Sequence, residues 1–83
     1  MRRVYLIRTD PARNMARFYS MSIQPTLFGE CAVVREWGRI GRAGQVRTAS
    51  YPSLPEAEQA LAKIERQKTK RGYSLLQSPR KSS

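Results

Sequence analysis

The sequence contains no histidine, a single cysteine and a single aspartate. The missing histidine excludes every histidine-based catalytic triad, the missing histidine and the single cysteine together exclude the usual zinc-ligand sets, and one aspartate leaves too few carboxylates for most metal cages. Cys31 has no partner with which to form an internal disulfide. We therefore expect neither an enzyme nor a protein that depends on a metal or a cofactor, and no residue is assigned a catalytic role.

Long apolar runs are absent as well. Only four apolar residues separate Arg3 from Arg8, which is too short for the apolar region of a signal peptide, and nothing approaches the roughly 20 residues of a membrane span. A single cysteine fits a reducing compartment. We expect no membrane association and a location in the cytoplasm.

Acidic residues are scarce, with 6 Asp and Glu against 16 Lys and Arg, for a net charge of +10. A chain of 83 residues has room for one small core and one domain. Such an excess of positive charge points to nucleic acid as the partner, or less often to an anionic membrane surface or an acidic protein. A monomer is the default expectation.

Alternating and clustered apolar residues predict four strands, and a capped helix follows them. The strands are predicted at 4–7, 17–24, 31–40 and 45–51. Turn residues separate them, and in the turn at 25–30 we expect Leu27 or Phe28 to cover a core edge. The predicted fold is α+β, an antiparallel four-stranded sheet with one helix packed on it.

The helix signal begins at Ser53, with Pro55 and Glu56 completing a capping box, and it ends at Gly72. Its apolar stripe contains Ala57, Ala60, Leu61 and Ile64. We place the domain at residues 1–73 and interpret residues 74–83 as a flexible basic tail.

The unusual residues concentrate at 35–45. Because successive side chains of a strand point to opposite faces, Arg35, Trp37 and Arg39 should share one face, with Gly38 on the other. An indole between two guanidinium groups suits a ligand with flat rings or sugars and phosphates. Further candidate binding residues on the predicted hairpin are Arg42, Gln45 and Arg47.

The same side chains have structural interpretations. Trp37 can be a core residue with an exposed rim, and Arg39 can bridge a loop carbonyl or pair with a glutamate. Gly38 permits close approach of a backbone or a ring. The hairpin arginines and the helix cations can belong to solvated faces; the latter are Lys63, Arg66, Lys68, Lys70 and Arg71.

The run from Trp37 to Gly41, with Gly44 and Gln45 beyond it and Asn14 upstream, resembles the WGR domain, which is named for its Trp-Gly-Arg tripeptide. The resemblance covers about residues 3 to 73. That domain is best known in DNA-break-activated poly(ADP-ribose) polymerases, and short versions occur in bacteria, which implies the bacterial cytoplasm or nucleoid. No polymerase domain accompanies it in this sequence.

The resemblance implies a non-catalytic module that binds duplex DNA at ends, nicks or gaps, with little base readout. By the same resemblance Trp37 packs on sugar, Arg39 reaches the backbone or a neighbouring domain, and Asn14 lies near the strand terminus. Two alternatives remain open. One is a protein-interaction module for an acidic partner, and the other is a binder of RNA or single strands.

Overall fold

Residues 2–76, which the computed structural model describes, form a five-stranded sheet with one helix packed on one face. The elements are β1 (Arg3–Asp10), a short 3-10 turn (Pro11–Arg13), β2 (Met15–Pro25), β3 (Cys31–Arg39), β4 (Gln45–Tyr51), α1 (Leu54–Lys70) and β5 (Ser74–Leu75). The strand order is β4-β3-β2-β1-β5, and neighbouring strands are antiparallel. The α+β prediction is confirmed, with one strand more than expected.

The core lies between α1 and the sheet. Strand β2 shows the predicted alternation, because Tyr19, Met21 and Ile23 are buried while the residues between them are partly exposed. The buried cluster is formed by Val4, Leu6, Tyr19, Met21, Ile23, Cys31, Val33, Ala57 and Leu61. Cys31 is thus a small core residue. The two helix residues stand one turn apart on the predicted apolar stripe, so the face with the odd-numbered residues of β2 and β3 is the one that the helix covers.

The extra strand follows from how α1 ends. Gly72 adopts a φ of +101°, and its N–H donates to the Thr69 carbonyl oxygen while the Tyr73 N–H donates to that of Lys68, both at 3.1 Å. This is a Schellman ending, which reverses the chain. Ser74–Leu75 then pairs with β1, past the predicted domain boundary at residue 73. The rest of the predicted tail, residues 77–83, lies outside the described residues.

The start of α1 differs from its prediction in one detail. Ser53 occupies the N-cap position with extended backbone, but its side chain makes no capping hydrogen bond, so the predicted capping box is not formed. The first turn is closed by the backbone instead, through the Ala57 N–H and the Ser53 carbonyl oxygen at 3.1 Å. Pro55 and Glu56 still lie in the first turn, where a fixed φ and a negative charge favour a helix start.

The β3–β4 loop packs onto the sheet face opposite the helix. A Cβ atom added to Gly38 would lie 3.0 Å from the Cα of Gly44, and Phe18, opposite Gly38 on β2, is buried below them. The two glycines therefore let two backbones meet above an aromatic ring. This confirms the interpretation of Gly38 as a point of close backbone approach.

The β2–β3 turn contradicts its prediction. Leu27 and Phe28 are 98% and 87% exposed, so neither covers a core edge. The Thr26 hydroxyl accepts hydrogen bonds from the N–H groups of Phe28 and Glu30 at 3.2 Å, and the Thr26 N–H donates to the Glu30 carbonyl oxygen at 2.8 Å. These bonds close the turn on its own backbone and leave both apolar side chains outside.

Candidate nucleic-acid interface

Trp37 lies on the helix side of the sheet, half-buried against the core. It stands opposite Tyr19 in the pairing of β3 with β2, and the two rings stack with centroids 5.7 Å apart and planes 15° apart. The structural interpretation of this indole, a core residue with an exposed rim, is therefore confirmed, and its role in binding stays a prediction. One part of its surface packs on Tyr19, and another part lines a groove described below.

Arg35 is held beside the same pair of rings. Its guanidinium carbon lies 5.9 Å from the centroid of the Trp37 ring, and one guanidinium nitrogen donates to the Tyr19 hydroxyl at 3.2 Å. A cation at this distance from an indole face is attracted by the ring quadrupole. The predicted shared face of Arg35 and Trp37 is confirmed, and the arginine is oriented before any ligand binds.

Arg39 joins β3 to the β1–β2 connection. Its two terminal nitrogens donate to the carbonyl oxygen and to the side-chain oxygen of Asn14, at 3.1 and 3.2 Å. Asn14 has a φ of 52° and ends the 3-10 turn. Since its amide oxygen is taken by Arg39, the amide NH₂ is left as the donor. The structure thus brings together two residues that lie 25 positions apart, in the loop-carbonyl contact foreseen for Arg39.

A groove of about 360 Å³ runs along this end of the helix-side face. We call it the Trp37 groove, and it is lined by Arg17, Trp37, Gly38, Arg39 and Tyr73. Sequence reasoning missed two of these. Arg17 and Tyr19 are two residues apart on β2 and therefore share a face, so the sequence already indicates where Arg17 lies. Tyr73 reaches the groove only because Gly72 reverses the chain.

The remaining predicted residues fall into two groups. Gln45 and Arg47 lie opposite Trp37 and Arg35 in the pairing of β4 with β3, so they share the helix-side face. Arg42 lies in the exposed β3–β4 loop, where its N–H donates to the Arg39 carbonyl oxygen at 3.0 Å. Gly38 has its packing role against Gly44 in addition to lining the Trp37 groove.

The last turn of α1 adds a cation that sequence reasoning placed on a solvated helix face. The Lys68 ammonium lies 4.5 Å from the centroid of the Tyr19 ring. Burial lowers the pKa of Lys68 below its usual value, and the neighbouring positive charges of Arg71 and Arg35 lower it further. Lys68 is therefore part of the same aromatic and cationic surface as Trp37.

Positive charge on this face is not neutralised by carboxylates. Within residues 2–76 the two ion pairs join Arg2 to Glu65 and Arg13 to Asp10, at 3.4 and 3.6 Å, and neither involves a cation of the helix-side face. Strand register and side-chain contacts place the following cations on this face: Arg8, Arg17, Arg35, Arg39, Arg47, Lys68 and Arg71. Such a surface favours a polyanion.

The part of the chain that the structure describes shows no group of three metal-ligating side chains. None of the helical segments between residues 2 and 76 combines the length and apolarity needed to cross a membrane.

Comparison with known proteins agrees with the aromatic and cationic surface described above. The sequence profile of the WGR domain matches residues 2–80, nearly the whole chain. The chain belongs to the WGR domain family. WGR domains are non-catalytic nucleic-acid-binding modules. In this one the name-giving tripeptide contributes an indole and a guanidinium to the groove, and its glycine receives the β3–β4 loop.

One relative is "Uncharacterized protein y4dW" of Sinorhizobium fredii (strain NBRC 101917 / NGR234), which is 48% identical over 71 residues. The matched region is 86% of this chain and 35% of the relative, so the chain spans about a third of that protein's length. No solved structure matches the chain.

The left-handed backbone at Asn14 makes the stability of this WGR domain sensitive to the residue at this position. We expect Asn14→Ala to destabilise the fold by about 1 to 2 kcal/mol, because an alanine at a φ of 52° is strained. Asn14→Gly should cost less, since glycine accepts this conformation. Urea denaturation of both variants measures the difference, and equal stabilities would contradict it.

Proposed function

We propose that this WGR domain is a non-catalytic module that binds duplex DNA at ends, nicks or gaps through the sugar-phosphate backbone. The observation that carries the proposal is the Trp37 groove, in which an indole is flanked by Arg17 and Arg39. Each type of lining group can contact a part of a strand terminus. The rings can stack on a sugar or base, and the guanidinium groups can bind phosphate oxygens.

The size of the groove supports a preference for termini. Its volume of about 360 Å³ is near the lower end of small-ligand sites, which run from about 300 to 1,000 Å³. We infer that a space of this size suits a single nucleotide unit at a strand terminus better than a continuous duplex.

The donors around the groove support backbone recognition rather than base readout. Arg39 and Asn14 hold each other in place beside the groove, so their remaining donors are arranged in advance for phosphate oxygens. Contacts with phosphate and sugar position a protein on DNA but carry no sequence information directly. We expect affinity to vary little among duplexes of different sequence.

Replacement of Trp37 tests the proposal most directly. Wild-type protein bound to a labelled nicked duplex should be competed better by nicked or linear DNA than by a covalently closed circle of the same sequence, with fluorescence polarisation as the readout. Trp37→Ala should lose this preference, because stacking on one base or sugar is worth about 1 to 3 kcal/mol, or roughly 5- to 150-fold in affinity.

Tyr51→Ala is the matched control. Tyr51 is also a half-buried aromatic that packs against the core from the helix-side face, but it stands at the other end of the sheet, opposite Cys31. It should keep the preference for breaks. Equal competition by all three DNA forms with the wild-type protein would refute the preference, and stronger competition by single strands would favour the RNA or single-strand alternative.

A further inference from the structure

A second group of cations surrounds Tyr19, away from the contacts between Arg39 and Asn14. The Lys68 ammonium lies 4.5 Å from the Tyr19 ring centroid, while Arg35 donates to the Tyr19 hydroxyl at 3.2 Å. One aromatic side chain therefore holds a lysine at its face and an arginine at its edge. Arg71, in the turn after α1, is close enough to lower the pKa of Lys68.

These cations are crowded without a counter-charge. No ion pair within residues 2–76 involves Arg35, Lys68 or Arg71. Bringing like charges together while partly burying one of them is unfavourable, and an anion placed among them removes that cost. The arrangement is thus poised for an anionic ligand, since its donors are already oriented and their mutual repulsion falls when the ligand binds.

We propose that Arg35, Lys68 and Arg71, here called the Lys68 cluster, form a second phosphate-binding site that holds the DNA backbone of the duplex arm next to the terminus. This inference rests on the proposed function for its ligand, a phosphodiester. It adds a separate role: the Trp37 groove selects the break, and the Lys68 cluster supplies affinity for any duplex.

Strand geometry gives the separation between the two sites. Arg35 and Arg39 are four residues apart on β3, which corresponds to about 13 Å at roughly 3.3 Å per residue. A DNA strand advances about 3.4 Å per nucleotide along the helix axis and also turns about that axis, so about 13 Å spans fewer than four nucleotide steps. A terminus in the groove and a phosphate a few steps inside the duplex can be held together.

Gly72 and Arg8 extend this cationic surface at the end of α1. A Cβ atom on Gly72 would lie 3.2 Å from the Arg8 side-chain nitrogen Nε, so the glycine leaves room for a further arginine beside the turn. Tyr73, the next residue, meets Tyr19 edge-on at 6.4 Å and also lines the Trp37 groove. The two sites therefore share one aromatic floor and form a continuous surface.

The test is a salt titration of the double variant K68Q/R71Q with the closed circular duplex as ligand. Each lost phosphate contact lowers the slope of log K against log salt by about 0.9, so the double variant should lose about 1.8. The preference for nicked over closed DNA should remain, because the Trp37 groove is intact. The converse is expected of Trp37→Ala, which should lose the preference and keep the slope.

K63Q/R66Q is the control variant, since it removes the same charge from exposed positions of the same helix. An unchanged slope in K68Q/R71Q, or an equal loss in both double variants, would overturn the second site and leave only general charge. Either result can occur with the break preference intact. If the proposed function is wrong, the result is different: the wild-type protein shows no preference for nicked over closed DNA.

Discussion

Gly44→Ala is expected to destabilise the fold by about 3 kcal/mol, because the added methyl group meets backbone atoms closer than at any other glycine of the domain. An alanine Cβ at this position would lie 2.3 Å from the carbonyl oxygen of Trp37 and 2.8 Å from its carbonyl carbon. These are backbone atoms of a strand paired on both sides, so they cannot move away without breaking pairs in the sheet. The loop has to lift instead.

Lifting the loop has consequences beyond the clash. Phe18 is buried beneath Gly44, with its ring 3.0 Å from the added methyl group, and would be exposed again. Forced overpacking costs about 1 to 3 kcal/mol, and loss of burial adds to it. A domain of this size is stable by about 5 to 10 kcal/mol, so the variant should be partly unfolded under mild denaturant.

Gly41→Ala separates the clash from backbone strain. Gly41 lies in the same loop with a φ of +88°, and nothing stands within 4 Å of its added Cβ. Gly41→Ala should cost about 1 to 2 kcal/mol for the left-handed conformation alone. Urea denaturation of both variants, followed by circular dichroism, gives the comparison. A Gly44→Ala domain as stable as Gly41→Ala would show that the loop does not pack as described.

The strands and the helix could be predicted because each carries its own local signal. In β2 the apolar residues alternate, and between β3 and β4 glycines occur where the chain must turn. The fifth strand carries no such signal, since Ser74–Leu75 is two residues long. It forms because the Schellman ending at Gly72 directs the chain along the open edge of β1, which is a consequence of tertiary geometry.

Part of the candidate site could also be predicted, because the alternation of side chains along a strand is a local signal. Strand parity alone puts Arg35, Trp37 and Arg39 on one face, and the register confirms it. Parity does not say which face the helix covers, because that depends on how α1 crosses the sheet. The role of Lys68 follows from this crossing: its sequence neighbours are polar, and only the folded chain brings its ammonium over a ring of β2.

Contacts between residues that lie far apart in the sequence were the other feature of the site that could not be predicted. Asn14 was assigned to the site by family resemblance, without a contact to justify it. The structure supplies the contact, two hydrogen bonds from Arg39, and it depends on the left-handed conformation of Asn14 after the 3-10 turn. Asparagine is among the residues that most readily take this conformation, but a sequence does not reveal which asparagine does.

Salt should weaken DNA binding by this domain more than any single substitution does. The helix-side cations span the Trp37 groove and the Lys68 cluster, and none of them pairs with a carboxylate within residues 2–76. Contact of roughly six of them with phosphates gives a slope of log K against log salt of about −5. Between 50 and 200 mM salt the affinity for a closed duplex should then fall about 1,000-fold.

The slope of log K against log salt also separates the part of the affinity that comes from phosphate contacts from the part that comes from stacking on Trp37. Counterion release acts on every duplex alike, whereas stacking on Trp37 releases no counterions. The ratio of affinities for nicked and closed DNA should therefore stay nearly constant across the titration while both affinities fall. Polarisation titrations of both ligands at four salt concentrations measure slope and ratio together. A slope shallower than about −2 would mean two or fewer phosphate contacts, and the helix-side face would then not be the DNA-binding surface.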